Sequence, residues 1–339
     1  MRTDSFDYPL PESAIAQHPL PRGTTRLLAC RRADGSCRDA RFSDLPDLLP
    51  RGALLVINDT RVIPARLAVR LPGGGRGEIL LLKRTGPLEY HALVRPGRKL
   101  PPGRTVSLKD GSPVFIQAAE GRGERRIAFA SDPSPLVQAI GRVPLPPYIR
   151  REDTADDRAD YQTVYAREEG SVAAPTAGLH FTHGMLDRLR KAGVCIVPIT
   201  LHVGTGTFRP IRSDTLDGHR MDEESYRVPE ETAKAVGQAR RDGRAVIGVG
   251  TTVCRALESA AMDGGGTVRS REGKTRLFIT PGFRFQVLDG LLTNFHLPRS
   301  TPLVLAASFA GRGRMSAWYN TALQKGYRFL SYGDAMLIL

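Results

Sequence analysis

Helix signals and strand signals alternate along the second half of the chain, and this order limits the fold more than any other feature. A helix is predicted to begin at Thr182 and to end at Gly193, with three apolar residues on one face. The apolar run VCIVPITLHV follows it and predicts a buried strand. A second helix, expected over residues 230–242, leads into a further strand at AVIGVG. Strands that alternate with helices in this way predict an α/β fold with a mainly parallel sheet.

Residues 67–148 follow a different pattern, in which short strand-like segments are broken by turns. The turns include a run of three glycines at positions 73–75 and a Pro96-Gly97 step. Segments of this length and spacing predict a small β-barrel or β-sandwich. The proline-rich VPLPPYI then returns the chain to its first pattern. We therefore expect a β module inserted into the α/β domain, and 339 residues suit two domains at about 150 residues each.

The chain is strongly basic. It has 49 Lys and Arg residues against 35 Asp and Glu, a formal net charge of +14. Residues 67–148 contain 13 of the basic and 6 of the acidic residues, so half of the excess charge lies in the inserted module. Clustered positive charge favours a polyanionic partner such as nucleic acid. Coding bias is the other explanation, because 42 of the basic residues are arginine and only 7 are lysine.

Neither a membrane nor a metal is indicated. No run approaches the ~20 apolar residues of a membrane span, and the charged start MRTDSFDYPL differs from a signal peptide, so we expect a cytoplasmic protein. The four cysteines are widely spaced without a Cys-x-x-Cys pair, which is typical neither of a disulfide framework nor of a zinc or iron–sulfur site. His180 and His183 have a spacing that could ligate a metal, but no glutamate follows as in the zinc peptidases. We therefore expect no metal.

Polar residues cluster in three loops that follow predicted strands, where ligands collect in open α/β sheets. His202 ends one strand, and the small residues after it allow backbone N–H groups to approach a ligand. A second loop begins a helix, whose N-terminus attracts carboxylates and phosphates, and a third precedes a helix capped by Ser300. Plain turns are the other interpretation of each loop, and no Rossmann fingerprint is complete. The candidate ligand-binding residues are Gly204, Thr205, Gly206, Thr207, Thr251, Thr252 and Asn294, with His296 beside them.

Seven blocks of the sequence resemble, in order, the S-adenosylmethionine:tRNA ribosyltransferase-isomerases, queuosine-pathway enzymes that build the cyclopentene side chain of a modified anticodon base. The blocks run from one end of the chain to the other: FDYPLPESAIAQHPL, LLVINDTRVIPARL, AAPTAGLHFT, LHVGTGTFRPI, GVGTTVCRALES, TRLFITPGFRFQVLDGLLTNFHLPRSTPLVLAASFAG and YRFLSYGDAMLIL. The resemblance implies an α/β main domain built from both chain ends, residues 1–66 and 149–339. A small β-barrel domain at residues 67–148 would be inserted in it.

The resemblance also implies a reaction. The ribosyl moiety of S-adenosylmethionine would be transferred to 7-aminomethyl-7-deazaguanine at the tRNA wobble position and isomerised, giving epoxyqueuosine-tRNA with release of adenine and methionine. The sulfonium acidifies the adjacent methylene, so a base with a pKa near neutrality can begin the reaction. His180, His202 and His296 lie in matching blocks and are the candidate acid–base residues. S-adenosylmethionine is then a co-substrate, no cofactor is implied, and we expect a monomer.

Candidate tRNA contacts are basic residues of the module and of the NDTRVIPARL block, because a guanidinium can bond two phosphate oxygens at once. Asp59 is expected to orient the first of these arginines, although a surface loop is the alternative interpretation. The predicted tRNA-binding residues are Arg61, Arg66, Arg95, Arg98 and Lys99.

At two positions the sequence departs from the family pattern. Asp222, in HRMDEESYRV, stands where the family has a second histidine, and Gly23 stands where an acidic residue is expected. A carboxylate could replace a histidine base only with a raised pKa or a close partner. The mechanism is therefore not assigned to Asp222.

Two other classes of function stay open. A non-catalytic RNA-binding protein agrees with the charge, but it does not explain the polar loops, and only 6% of residues are aromatic and suited to base stacking. An enzyme for a small phosphorylated metabolite would use the same loops, but it leaves the basic module unexplained.

Overall fold

The computed structural model describes residues 1–71, 73–121 and 123–339, and it describes Thr205 and Phe208 by their backbone only. The strands are β1 (Arg26–Cys30), β2 (Cys37–Arg41), β3 (Leu54–Asn58), β4 (Thr60–Val62), β5 (Arg66–Arg70), β6 (Arg76–Arg84), β7 (Glu89–Arg95), β8 (Thr105–Leu108), β9 (Pro113–Gly121), β10 (Glu124–Phe129), β11 (Glu168–Ser171), β12 (Cys195–Leu201), β13 (Glu224–Val228), β14 (Val246–Val249), β15 (Arg271–Thr275), β16 (Gly290–Asn294) and β17 (Ala335–Ile338). The α-helices are α1 (Leu45–Leu48), α2 (Ser134–Ile140), α3 (Asp157–Asp160), α4 (His183–Lys191), α5 (Glu230–Arg241), α6 (Thr251–Asp263), α7 (Thr301–Ala310) and α8 (Arg312–Gln324).

Nine strands form the main sheet, in the order β15-β13-β12-β3-β14-β16-β17-β1-β2. The four central strands, from β12 to β16, run parallel to one another. All five residues of β3 are buried, as expected for a parallel strand covered on both faces. Antiparallel pairs flank this centre, so the predicted parallel sheet is confirmed in the middle and is mixed toward its edges.

The main sheet takes strands from both halves of the chain. β3 comes from the first sixty residues and lies between β12 and β14, which follow the barrel in sequence. β17, near the end of the chain, pairs with β16 on one side and with β1 on the other. The α/β domain built from both chain ends is therefore confirmed.

Six antiparallel strands, β5 to β10, close into a barrel in the order β10-β7-β6-β5-β8-β9. Pairing of β9 with β10 completes the closure. Side chains alternate along the strands: Leu67 and Val69 of β5 are buried in the barrel, while Ala68 and Arg70 are exposed. The inserted barrel is confirmed, and the domain boundaries at residues 67 and 148 stay predictions.

Helix caps follow the sequence. The Thr182 hydroxyl accepts a hydrogen bond from the backbone N–H of Met185 over 3.0 Å and caps α4. The Ser300 hydroxyl accepts from Leu303 N over 3.4 Å and caps α7, with Pro302 in the first turn. The Ser300 cap begins α7 directly after the loop that contains His296.

The acidic stretch REDTADDRAD at residues 151–160 predicts a solvated loop or a helix start, and most of it is exposed around the short helix α3, but one of its carboxylates is buried. Asp157 is only 1% exposed, and its carboxylate accepts two hydrogen bonds from Arg151, at 2.6 and 2.7 Å. The Tyr332 hydroxyl donates a third, over 2.8 Å. The Arg151–Asp157 ion pair and the Tyr332 hydrogen bond thus attach the segment after the barrel to the C-terminal part of the chain.

Across the described ranges, no helix is both long enough and apolar enough to span a membrane.

Candidate functional site

A cavity lies at the carboxyl ends of the neighbouring strands β14 and β16, and we call it the central cavity. The first turns of α6 and α7 form part of its wall, because each helix begins directly after one of the loops that follow these strands. The position is the one in which open α/β sheets bind ligands. Six described lining residues matter below: Tyr148, Thr207, Thr251, Thr252, Asn294 and His296.

His296 faces the central cavity, and its backbone is fixed on both sides. The Tyr8 hydroxyl donates to the carbonyl oxygen of His296, and the N–H of His296 donates to the Tyr319 hydroxyl over 2.9 Å. In the side chain, Nε2 lies 2.9 Å from the Thr293 hydroxyl. Burial of the ring lowers the pKa of His296 to about 3, although the residue keeps some exposed surface. The imidazole is therefore neutral at pH 7.

His180 lies behind the cavity wall, with both ring nitrogens engaged. Its Nε2 is 3.2 Å from Oδ1 of Asn294, and its Nδ1 is 3.0 Å from the hydroxyl of Thr25. Since the Asn294 amide nitrogen donates to the carbonyl of Leu330, Oδ1 is the acceptor and Nε2 of His180 must bear the proton. Burial lowers the pKa of His180 to about 4, against an opposing effect of the hydrogen bond to Asn294. His180 thus holds Asn294 in place.

His202 lies apart from the other two histidines. Its Nδ1 is 2.8 Å from the Thr60 hydroxyl, and its ring lies against Gly170, where an added Cβ would come within 3.1 Å. Burial lowers the pKa of His202, while Asp59 and Glu168 act in the opposite direction. The described lining of the central cavity does not include His202.

Thr251 and Thr252 begin α6 at the cavity wall, as predicted. Gly250 before them has φ 90°, a left-handed conformation that suits glycine in the tight step from β14 to α6. The hydroxyl of Thr252 accepts a hydrogen bond over 3.2 Å from Asn58, which is fully buried. The same amide of Asn58 exchanges hydrogen bonds with the backbone of Leu201, so one side chain ties β3, β12 and α6 together.

The loop after His202 connects the central cavity to a larger groove. Gly204 donates its N–H to Glu224 over 3.1 Å, and Gly206 lies so close to Asp222 that an added Cβ would be 2.6 Å from its carboxylate. Thr207 lines both the central cavity and the groove. The prediction for the Thr205 side chain falls outside the described residues.

This groove lies between the barrel and the main domain, and we call it the basic groove. Arg95 contributes from the barrel, and Arg209, Arg212 and Arg220 contribute from the loop that follows the central cavity. Arg98 and Lys99 are exposed on the short 3-10 turn Gly97–Lys99, next to Arg95. The structure thus brings a barrel arginine close to main-domain arginines that the sequence prediction had not included.

The two other arginines predicted to bind tRNA, Arg61 and Arg66, have different surroundings. Arg61 is exposed, and its guanidinium donates to the carbonyl of Ala166 over 3.2 Å. Arg66 is half-buried and makes two hydrogen bonds to Glu78, at 3.0 and 2.9 Å. A phosphate contact by Arg66 would therefore compete with an existing ion pair.

The expectation that Asp59 orients Arg61 is wrong. Asp59 is 3% exposed, accepts a hydrogen bond from the Thr200 hydroxyl over 2.7 Å, and pairs with Arg167 over 2.9 Å. Burial raises the pKa of Asp59, and these two partners oppose that effect. The described partners of the Asp59 carboxylate are thus Thr200 and Arg167, while Arg61 donates to the carbonyl of Ala166.

Comparison with known proteins identifies the family. A model of the family described as Queuosine biosynthesis protein matches residues 3–338. The chain belongs to this queuosine biosynthesis family.

Known relatives are similar to this chain over almost the whole length of both sequences. The S-adenosylmethionine:tRNA ribosyltransferase-isomerase of Syntrophotalea carbinolica is 50% identical over 344 residues and covers all of both chains. The enzyme of the same name from Thermus thermophilus is 50% identical, with 99% of each chain covered. The crystal structure of S-adenosylmethionine tRNA ribosyltransferase from Thermotoga maritima is 34% identical, has a TM-score of 0.58, and covers 99% of this chain and all of its own. Membership in a family of transferase-isomerases sets aside the non-catalytic RNA-binding protein.

Asp222, a residue that departs from the family pattern in sequence, lies at the basic groove beside Gly206. His219 lines the same groove. The carboxylate of Asp222 is exposed. It stays outside the mechanism. Among the described residues, no group of three or more His, Cys, Asp or Glu side chains is placed to hold a metal ion.

Several residues at or beside the central cavity were missed by the sequence analysis. Tyr148 reaches the central cavity from the proline-rich segment after the barrel, and its hydroxyl bonds to Ser331 over 2.7 Å. Tyr8 and Tyr319 fix the His296 backbone from opposite ends of the chain. Arg255, one turn into α6, is 7% exposed beside the cavity. Of these residues, only Arg255 could have been found from the sequence, because an arginine in the largely apolar helix segment VCRALESAA needs a buried partner.

Proposed function

We propose that this chain transfers and isomerises the ribosyl moiety of S-adenosylmethionine onto 7-aminomethyl-7-deazaguanine at the tRNA wobble position. The products are epoxyqueuosine-tRNA, adenine and methionine. One observation supports this proposal most strongly: the central cavity meets the basic groove at Thr207. The wall of the cavity contains His296, Asn294 and two helix N-termini. A small sulfonium substrate and a large polyanion can meet at such a junction.

His296 is the histidine best placed for proton transfer. It faces the cavity, it is neutral at pH 7, and its Nε2 is already oriented by Thr293. A neutral imidazole can accept the proton that the sulfonium acidifies on the ribose methylene, but a pKa of about 3 makes His296 a weaker base than one with a pKa near neutrality. His180 is a positioning residue in this proposal, because both of its nitrogens are committed to Asn294 and Thr25.

The basic groove supplies the tRNA contact. Its arginines come from both domains, which suits a duplex or loop backbone lying across the boundary between them. Arg95 and Arg66 are the predicted tRNA-binding residues that line this groove, with Arg66 already paired to Glu78, and Arg98 and Lys99 extend the same exposed charge along the barrel. The proposal includes a cytoplasmic location, because tRNA is the substrate, and the monomeric state stays a prediction.

The test is a single-turnover reaction. Purified protein is incubated with S-adenosylmethionine and tRNA that carries the aminomethyl precursor base, and adenine and the modified nucleoside are measured by mass spectrometry. We expect both products in equal amounts, and neither with tRNA that lacks the precursor base. Absence of both products with the precursor tRNA would reject the proposal. An enzyme for a small phosphorylated metabolite would give that negative result.

A further inference from the structure

Arg255 is a buried arginine with one unused donor. Its Nε donates to the carbonyl oxygen of Leu277 over 2.9 Å, and its Nη1 donates to the carboxylate of Glu224. Its Nη2 is buried and has no hydrogen-bond partner within the part of the chain that the structure describes. The residue as a whole is 93% buried, since only 7% of its surface is exposed. A buried donor of this kind normally has a partner, because leaving it unpaired costs about 1–3 kcal/mol.

Arg255 faces a small recess that continues from the central cavity. Thr207, Thr251, Thr252 and Pro302 line both spaces, so they are parts of one cleft. The remaining wall of the recess is mainly apolar, with Leu277, Phe278, Ile279 and Leu305. The unused guanidinium nitrogen is the charged group in this otherwise apolar and hydroxyl-lined space.

Two helices also begin at the recess. α6 has 13 residues and begins at Thr251, and α7 has 10 residues and begins at Thr301, which lines the recess too. The first N–H groups of a helix lack intrahelical partners and favour a negative charge. Together with Arg255, they create a site for one small anion of carboxylate size.

The geometry points to this recess as the seat of the α-carboxylate of S-adenosylmethionine, with Arg255 as the residue that binds it. This assignment rests on the proposed function. The recess borders the basic groove at Thr207 and Met221, so a phosphate of the tRNA backbone is the competing occupant, but the recess is the smaller and more apolar of the two spaces and suits a single carboxylate better. A carboxylate on the flexible amino-acid end of the co-substrate can enter while the ribose stays near His296.

Glu224 sets how strongly Arg255 can bind the carboxylate. Its carboxylate is 6% exposed, accepts from Arg255, and also accepts the N–H of Gly204. Glu224 therefore partly neutralises the guanidinium and links it to the loop that connects the cavity to the groove. Removing the charge of Glu224 alone should strengthen carboxylate binding, whereas removing both charges should abolish it.

The experiment compares S-adenosylmethionine with decarboxylated S-adenosylmethionine by titration calorimetry. The wild-type chain should bind the carboxylated form at least about tenfold more tightly, as expected for a charge-assisted hydrogen bond. Glu224→Gln should preserve or increase this ratio. The double variant Arg255→Met with Glu224→Gln should lower it toward one, with little change in affinity for the decarboxylated form.

An equal ratio in Glu224→Gln and in the double variant would overturn the assignment. If the double variant shows no cooperative thermal unfolding, Arg255→Lys is used instead. Lysine keeps a charge beside Glu224 but lacks the second donor nitrogen. An unchanged affinity ratio in Arg255→Lys would equally overturn the assignment. If the wild type binds neither ligand, the proposed function fails and the assignment fails with it. Binding of both ligands without discrimination rejects the carboxylate seat alone.

Discussion

The Nε2–H of His180 lies 3.2 Å from Oδ1 of Asn294 and joins a buried loop to the end of β16, 114 residues along the chain. The imidazole is neutral at pH 7, because burial holds the pKa of His180 at about 4, so the hydroxyl of Thr25 donates to the unprotonated Nδ1. One neutral ring thus holds a cavity residue in position.

We expect the free energy of unfolding to fall as the pH is lowered from 7 to 4. Burial holds the pKa of His180 at about 4, below the ordinary value of 6.5, so in this window the unfolded chain binds a proton that the folded chain does not. The contribution of this residue approaches about 3 kcal/mol by pH 4. Denaturant unfolding of wild type and His180→Gln across this range measures it, and the variant should show a shallower slope.

Thr25→Val is the matched control for that experiment. It removes the hydroxyl partner of His180 but leaves the imidazole in place, so it should lower stability by roughly 1–3 kcal/mol while the slope with pH persists. A His180→Gln slope equal to that of the wild type would show that the ring titrates normally in the folded state.

His296→Ala should lower turnover by about two orders of magnitude, because acid–base residues usually contribute that much. The sequence predicts a similar loss for His202→Ala. The structure leads us to expect the smaller loss there, because His202 bonds to Thr60 outside the described cavity wall. Single-turnover rates of adenine release measure both, with thermal unfolding as the check on folding. Near-normal rates in both variants would remove these histidines from the mechanism.

Asp157→Asn should destabilise the fold by about 1.5–3 kcal/mol at pH 7, because it removes the charge of a buried acceptor whose partner Arg151 keeps 18% of its side chain exposed. Burial acts to raise the pKa of Asp157, but Arg151, the Thr154 N–H and the Tyr332 hydroxyl outweigh it and hold that pKa below its usual range. A lowered folded pKa stabilises above the unfolded value of about 4 and is lost as the pH falls. The difference from wild type should therefore shrink between pH 4 and pH 2 in urea unfolding.

The exposed neighbour Asp156 supplies the control, since Asp156→Asn should change stability by at most about 0.5 kcal/mol. A loss as small in Asp157→Asn would mean that the ion pair contributes little.

Neutralising Arg95, Arg98 and Lys99 together should weaken tRNA binding and reduce its salt dependence by up to roughly 0.9 in slope per lost phosphate contact. Affinity for S-adenosylmethionine should stay unchanged, because these residues lie on the barrel and not in the central cavity. The same triple change at Arg188, Arg190 and Lys191, exposed at the end of α4, is the control. Equal salt slopes in all three proteins would move the tRNA contact to the main domain.

Local signals predicted much of the fold. The Thr182 and Ser300 caps, the barrel strands and the parallel centre follow from hydroxyl residues at helix starts, period-two alternation and strand–helix order. The contacts between distant segments did not follow. Asp157 reads as a solvated acidic residue because its third partner, Tyr332, lies 175 positions away.

For the candidate site too, the sequence predicted the local features but not the contacts between distant segments. Thr251, Thr252, Asn294 and His296 meet at one cavity because strand ends meet at one sheet edge. The sequence could not separate His202 from this group, since the difference depends on where Thr60 and Gly170 lie in space.

The place of β17 in the sheet affects the order in which the protein can be completed during synthesis. β1 leaves the ribosome among the first thirty residues, yet its only described sheet partners are its hairpin strand β2 and β17, which spans Ala335–Ile338. The barrel strands, in contrast, are contiguous and can close as soon as they emerge. The β1–β2 hairpin must therefore wait, unattached to the sheet, until residues 335–338 have been synthesised, and a chaperone that shields early apolar segments would have a long task at this hairpin.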